Sequence, residues 1–131
     1  MIVTYAPDGQ EPQRWDWDPT KVRAVEAELI EKRFNGTWDS FRMAVLEGSV
    51  RARRVLLWHL LKRQHPILRL GDVDYGLGEL TVEMTRAELM EFRGAVVKAK
   101  GITDEEREKA LRALDAEIES APEVVDVGKV S

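Results

Sequence analysis

Residues 47–66, EGSVRARRVLLWHLLKRQHP, constrain the fold of this chain more than any other stretch. They hold its densest apolar block, Val55, Leu56, Leu57, Trp58, Leu60 and Leu61, entered through Arg51, Arg53 and Arg54 and left through Lys62 and Arg63. Read as a helix, the stretch starts at Gly48 and Ser49, the Ser49 hydroxyl serving as N-cap, and stops at Pro66, whose ring cannot continue the helix. At about 100° per residue Val50, Leu56, Leu57, Leu60 and Leu61 share one broad face, while Val55 and Trp58 fall on its flanks. A helix apolar nearly all round needs cover from several sides. It falls short of the ~20 apolar residues that cross a bilayer, so it reads as the central helix of a small soluble domain and no membrane partner is expected.

The size of the chain agrees with that reading. With 131 residues and 44% hydrophobic content, one core is the natural count. The net charge of −4, with 24 acids against 20 bases, argues against a protein that works mainly on a phosphate backbone. The lack of cysteine excludes disulfides, thiolate catalysis and cysteine-ligated zinc, and is compatible with a reducing cytoplasm. Met1 is not followed by a basic and apolar leader, so no secretory signal is expected. Charge is uneven along the chain, with 11 bases and 9 acids up to Pro66 against 9 bases and 15 acids after it. Either the acidic half folds over the basic half, or the two signs serve different partners, or both are ordinary solvated faces.

Residues 1–17 read as a β-hairpin. Ile2, Val3, Thr4 and Tyr5 have strand propensity, Pro7, Asp8 and Gly9 supply a turn, and the second strand carries Trp15 and Trp17 on one face. That aromatic pair either covers the core or, if exposed, meets a partner. Asp18 and Pro19 form a helix start. The helix they open should run to about Phe34 and bury Val22, Val25, Leu29 and Ile30, with Asn35 and Gly36 ending it. Thr37 then caps a helix over 38–47 that buries Trp38, Phe41, Ala44 and Val45, and Gly48 closes it. Such brief connections make the three helices turn sharply on one another.

After Pro66 the helical periodicity lapses. Gly71, Asp72, Asp74, Gly76 and Gly78 are turn chemistry, with Leu70, Val73, Tyr75 and Leu77 as anchors. Leu80, Val82 and Met84 alternate with polar residues as a short strand, a candidate third partner for the hairpin. Thr85 with Glu88, and Thr103 with Glu106, are capping boxes for two further helices, separated by a break at Gly101. The first should bury Leu89, Phe92, Val96 and Ala99. The second carries a narrow line, Leu111, Leu114 and Ile118, which either docks on its own domain or awaits another helix. The fold class expected is thus mainly α, about five helices with an N-terminal β-hairpin and room for one more short strand. A single domain over 1–100 is expected, comprising the hairpin (1–17), helical core (18–66), loop and strand (67–84) and a helix (85–100). An amphipathic helix over 101–121 and a flexible tail over 122–131 would follow.

Catalytic and metal constellations are nearly absent from the sequence. His59 and His65 lie about 240° apart around one helix and do not converge on a metal; His59 reads as a wetted edge of the central helix. Asp72 and Asp74 lack the further oxygen ligands of a calcium loop and read as Asx turns. No catalytic residue, metal site or cofactor is therefore assigned. Arg51, Arg53 and Arg54 in the first turn of a helix oppose its dipole, which an anion would relieve. That anion belongs to nucleic acid, to another protein's acidic surface, or to the chain's own acidic half. As a recognition helix the stretch is too apolar, so nucleic acid is the weakest of the three.

The run EAELIEKRFNGTWDSFRMAVLEGSVRARRVLLWHLLKRQHP, followed by GDVDYG and ELTVEM, resembles the tail assembly chaperones of long-tailed, non-contractile phages, particularly those of actinobacterial hosts and their prophages. Gly36 and Trp38, the LEG turn at Leu46, Glu47 and Gly48, and the leucine and tryptophan helix carry the likeness, which covers about residues 15–84. The resemblance implies a small, mostly helical, non-enzymatic protein acting in the cytoplasm of the infected bacterium and absent from the mature virion. It would bind the hydrophobic tape-measure protein, keep it soluble, and through a longer frameshifted form bring tail-tube subunits to it. Val127, Gly128 and Lys129 can be encoded through a slippery-type heptamer. The residues offered for partner binding are Val55 and Trp58 on the uncovered flank, Arg51 and Arg54, and Leu111, Leu114 and Ile118; a homo-oligomer is a further option. The alternatives are a DNA-associated or regulatory protein using the arginine patch, and a structural tail or head-completion subunit.

Overall fold

In a computed structural model the described residues are 1–122, so the frameshift site and all of the expected 122–131 tail but Pro122 lie outside them. The described residues are mainly α, with five α-helices and a three-stranded sheet in the order β2-β1-β3. The strands are β1 (Ile2–Tyr5), β2 (Gln13–Asp16) and β3 (Leu80–Glu83). The helices are α1 (Ala24–Phe34), α2 (Trp38–Glu47), α3 (Val50–Leu61), α4 (Arg86–Lys98) and α5 (Asp104–Ser120). The third strand expected at Leu80 and Val82 therefore forms and makes β1 the central strand. The fold divides into two compact units, one of Met1–Thr4, Arg14–Trp17 and the described residues from Glu83 onward, the other of Tyr5–Gln13 and Asp18–Val82.

In the first unit Met1, Ile2, Val3, Trp15 and Trp17 are buried, so the tryptophan pair takes the core reading. The Met1 ammonium donates to the Trp17 carbonyl (2.8 Å) and to the Glu88 carboxylate (2.9 Å). Glu88 also accepts from the Thr85 amide (2.8 Å), and the Thr85 hydroxyl accepts from the Glu88 amide, the reciprocal pair of a capping box. Thr103 and Glu106 repeat it at α5. Arg107 closes the α4–α5 turn through the carbonyls of Val96 and Ala99, and Arg93 pairs with Asp115 (2.6 Å). Phe92, expected inside, is 46% exposed. It lies about 60° around α4 from buried Leu89.

In the second unit α1, α2 and α3 pack pairwise, around Ile30, Phe41, Val45, Val55, Leu56, Leu57 and Leu60. Two expectations for α1 fail together. Asp18 does accept from the Thr20 amide (2.9 Å) with Pro19 in the first position, but the result is one 3-10 turn, Pro19–Lys21. The chain is extended at Val22 and Arg23, and the α-helix begins only at Ala24. Val25, expected in the stripe, is 82% exposed, because it sits about 140° around the axis from the buried Ile30. The central helix also ends earlier than Pro66, at Leu61, and continues as turns. Val50, expected on its main face, is 54% exposed at the first position of α3.

The joints between these helices are local and legible. Asn35 ends α1 in the left-handed region (φ 64°), its N–H bonding the Glu31 carbonyl at 2.7 Å. The Glu31 carboxylate accepts from the Trp38 amide at the start of α2 (2.7 Å). A Cβ on Gly36 would approach the Ser40 Oγ to 2.8 Å and the Phe34 ring to 3.0 Å, which explains the side-chain-free residue there. Thr37 and Ser49 cap α2 and α3 through the amides of Ser40 and Ala52. Because an L-residue with a Cβ is strained at positive φ, Asn35→Ala should cost about 1 kcal/mol while Asn35→Gly is tolerated; urea unfolding of the two variants checks this.

Glu79 ties two further segments together. Its carbonyl accepts from Ala6 N–H (2.8 Å), and its carboxylate accepts from the Asp8 amide (2.8 Å) and the Gly76 amide (2.7 Å). Those amide donors hold its carboxyl below the usual carboxylate range.

Candidate functional site

The flank proposed from sequence as uncovered is covered. Val55 is 1% and Trp58 3% exposed. The turn-rich segment after Pro66 lies on this helix, its 3-10 turn Leu70–Asp72 packing on α3. The Trp58 indole N–H donates to the Leu68 carbonyl (2.9 Å), and its ring lies under Lys62 Nζ at 4.6 Å and the Arg33 guanidinium at 5.8 Å. Arg54 pins the same segment by donating to the carbonyls of Val73 (2.7 Å) and Leu70 (2.8 Å). Arg53 donates from Nε to the Val45 carbonyl (2.9 Å), and Arg51 is exposed. Two of the three clustered arginines thus serve main-chain carbonyls instead of the carboxylates of the acidic half. The structure thus ties Arg54 and Trp58 to one loop, with Val55 buried on the helix between them. Leu111, Leu114 and Ile118 belong to the other unit, where α5 packs on α4 with Leu114 buried and its two companions half-buried.

His59 is not a wetted edge. It is 6% exposed, with Nδ1 3.7 Å from a Glu26 carboxylate oxygen. Burial first, and then the charges of Arg63 and Lys62, lower its pKa from 6.5 to about 4. The imidazole is neutral at pH 7, so the contact with Glu26 is not an ion pair there. Asp72 is bound by the Arg69 guanidinium (3.3 Å), which holds its carboxyl below the usual range, and Asp74 accepts from the Tyr75 amide (3.0 Å). Both carboxylates serve nearby groups, Asp72 those of Arg69 three residues back and Asp74 the next amide, and neither bond is the contact two residues on that defines the expected Asx turn. Among the described residues no three metal-ligating side chains converge, and no helix is long and apolar enough to cross a membrane.

Sequence reasoning did not assemble a groove of about 160 Å³ lined by Gly48, Val50, Arg53, Tyr75, Leu77 and Leu80. The α2–α3 joint forms one side. Gly48, at φ 89°, ends α2 without a side chain, and Ser49 immediately starts α3, so Val50 and Arg53 stand on its first turn. The other side is the 3-10 turn Leu77–Glu79 with Tyr75 before it and Leu80 after it. Tyr75 meets Tyr5 edge-on at 6.3 Å between ring centres, and burial raises its hydroxyl pKa. The available signal was the apolar residues Tyr75 and Leu77 spaced between glycines in a stretch otherwise made of turns. The groove can accept an apolar group and holds a guanidinium beside it. No family model, curated protein or solved structure matches this chain.

Proposed function

We propose that this chain is a non-enzymatic tail assembly chaperone of a long-tailed, non-contractile phage, holding the tape-measure protein in solution in the host cytoplasm. The observation that carries the reading is the apolar surface of the helical unit, where Val25, Met43, Val50, Ile67 and Leu77 are each at least half exposed. A holding protein needs such surface, because an apolar helical partner is kept soluble by apolar contacts that it finds before it finds its own copies. The likeness over residues 15–84 supports the same reading. Its marker residues have structural duties: Gly36 makes room for Phe34 and Ser40, Trp38 stacks on Phe41 at 5.6 Å, and Gly48 turns the chain. The DNA-associated alternative loses ground at Arg54, whose guanidinium is held by the Val73 and Leu70 carbonyls.

Co-expression with the tape-measure protein of the same tail gene cluster tests the proposal. The soluble fraction of that protein should rise severalfold, and the chaperone should be missing from purified virions. A tape-measure protein equally insoluble with and without this chain would end the reading. Retention of the free protein on DNA that falls steeply with salt would favour the DNA-associated class, and detection in virions the structural one.

A further inference from the structure

We propose that the groove between the α2–α3 joint and residues 75–80 binds a partner polypeptide through one large apolar side chain with a carboxylate beside it. Its size sets the first half of that statement. A volume of about 160 Å³ is close to the ~150 Å³ of an apolar cavity that accepts one benzene, so a single phenylalanine or leucine side chain is the natural guest. Val50, Tyr75, Leu77 and Leu80 give it apolar walls, and at the mouth Val50 and Leu77 are 54% and 67% exposed. Gly48 keeps the rim open, since no side chain projects there.

Charge sets the second half. The only hydrogen bond of the Arg53 guanidinium among the described residues runs from Nε to the Val45 carbonyl, which leaves its terminal nitrogens as donors at the groove. Arg51 is exposed two residues earlier, and the first turn of α3 holds no acid to offset the positive end of that helix. Of the nearby carboxylates, Glu79 is engaged by the amides of Gly76 and Asp8, leaving Glu47 as an exposed acid on the α2 side. A carboxylate next to the anchoring side chain therefore gains a charge-assisted hydrogen bond, whereas a lysine there meets like charge. A nucleic acid would supply phosphate but no side chain to fill the apolar walls. This recognition chemistry does not depend on the partner being a tape-measure protein.

The test is an amide-resolved NMR titration of the full chain with N-acetyl-phenylalanine, its C-terminal amide, and N-acetylglycine. Shifts should cluster at Val50, Arg53, Tyr75, Leu77 and Leu80, with the free acid binding about fivefold or more tightly than the amide and N-acetylglycine producing no clustered shift. Leu77→Glu, at an exposed position that the fold does not need, should abolish the clustered shifts. Ile67→Glu, at a 93% exposed apolar site outside the groove, should leave them intact. Equal affinity for acid and amide removes the charge requirement and overturns the proposal. So do shifts scattered over the surface, a saturating titration with no shift, or a Leu77→Glu chain that binds as before.

Discussion

Replacing Trp58 with alanine should cost about 3–5 kcal/mol of stability, the range for deleting a buried aromatic side chain, and Trp58→Phe about 1–2 kcal/mol for the lost hydrogen bond. The difference separates two contributions. The alanine variant removes the ring from beneath the segment after Pro66, where it is 3% exposed, and leaves a cavity against α3. The phenylalanine variant keeps most of the ring but strands the Leu68 carbonyl, which the indole N–H serves at 2.9 Å. Lys62 at 4.6 Å from the ring adds a cation–π contact that both variants weaken to different degrees. Urea unfolding with an unchanged dependence on denaturant is the measurement. Were Trp58 a free partner surface, alanine would change stability by no more than about 0.5 kcal/mol, and that outcome would contradict the buried position.

Acidification should weaken the fold through His59, and substitution of that residue should remove the effect. The folded chain keeps the imidazole neutral down to about pH 4, against an ordinary value of 6.5. Between those pH values the unfolded chain binds a proton that the folded chain refuses, so stability falls as pH drops from above 6.5 towards 4 and this contribution levels off below. The full difference is about 3 kcal/mol. Desolvation is the main cause, with Arg63 and Lys62 adding repulsion. Glu26, 3.7 Å from the ring, has a side chain that is 50% exposed, which limits its pull. His59→Leu deletes the titration whatever it does to stability at pH 7. The loss of stability from pH 7 to pH 4 should therefore be about 3 kcal/mol smaller in the variant than in the parent. Identical losses in the two proteins would show that His59 does not carry the charge penalty.

The parts of this fold that could be read from sequence are those fixed by neighbours in the chain. Thr37 and Gly48 bound α2 because a hydroxyl at an N-cap and a glycine at positive φ act within one turn. The capping boxes of α4 and α5 were legible for the same reason. What could not be read depends on partners distant in sequence. Trp58 and Arg54 are held by residues that look like loop, because Leu68, Leu70 and Val73 offer carbonyl oxygens, and carbonyls leave no trace in composition. Arg53 and Arg54 looked like a charge patch for the same reason, since their acceptors belong to the main chain. The misplacement of Val25 is a matter of angle, since residues 25 and 30 lie about 140° apart on any α-helix; the late start of α1 is a separate miss. Asp18 and Pro19 are a valid start signal, but the chain spends it on a single 3-10 turn, and the helical phase restarts six residues later at Ala24. The groove was the least legible feature of all, because it exists only where Val50 and Arg53 meet residues 75–80.

Glu79 has a consequence for the order in which the fold can be completed. The loop after β1 is fastened at Ala6 and Asp8 by a residue 71 positions beyond Asp8. Contacts of such separation close only after a long stretch of chain has collapsed, and they carry the largest entropic delay. During synthesis the loop after β1 therefore waits for Glu79 to leave the ribosome before it can be fastened. Helices α1, α2 and α3, whose joints are local, can form in the interval. The earliest-made part of the helical unit is thus among the last to be locked.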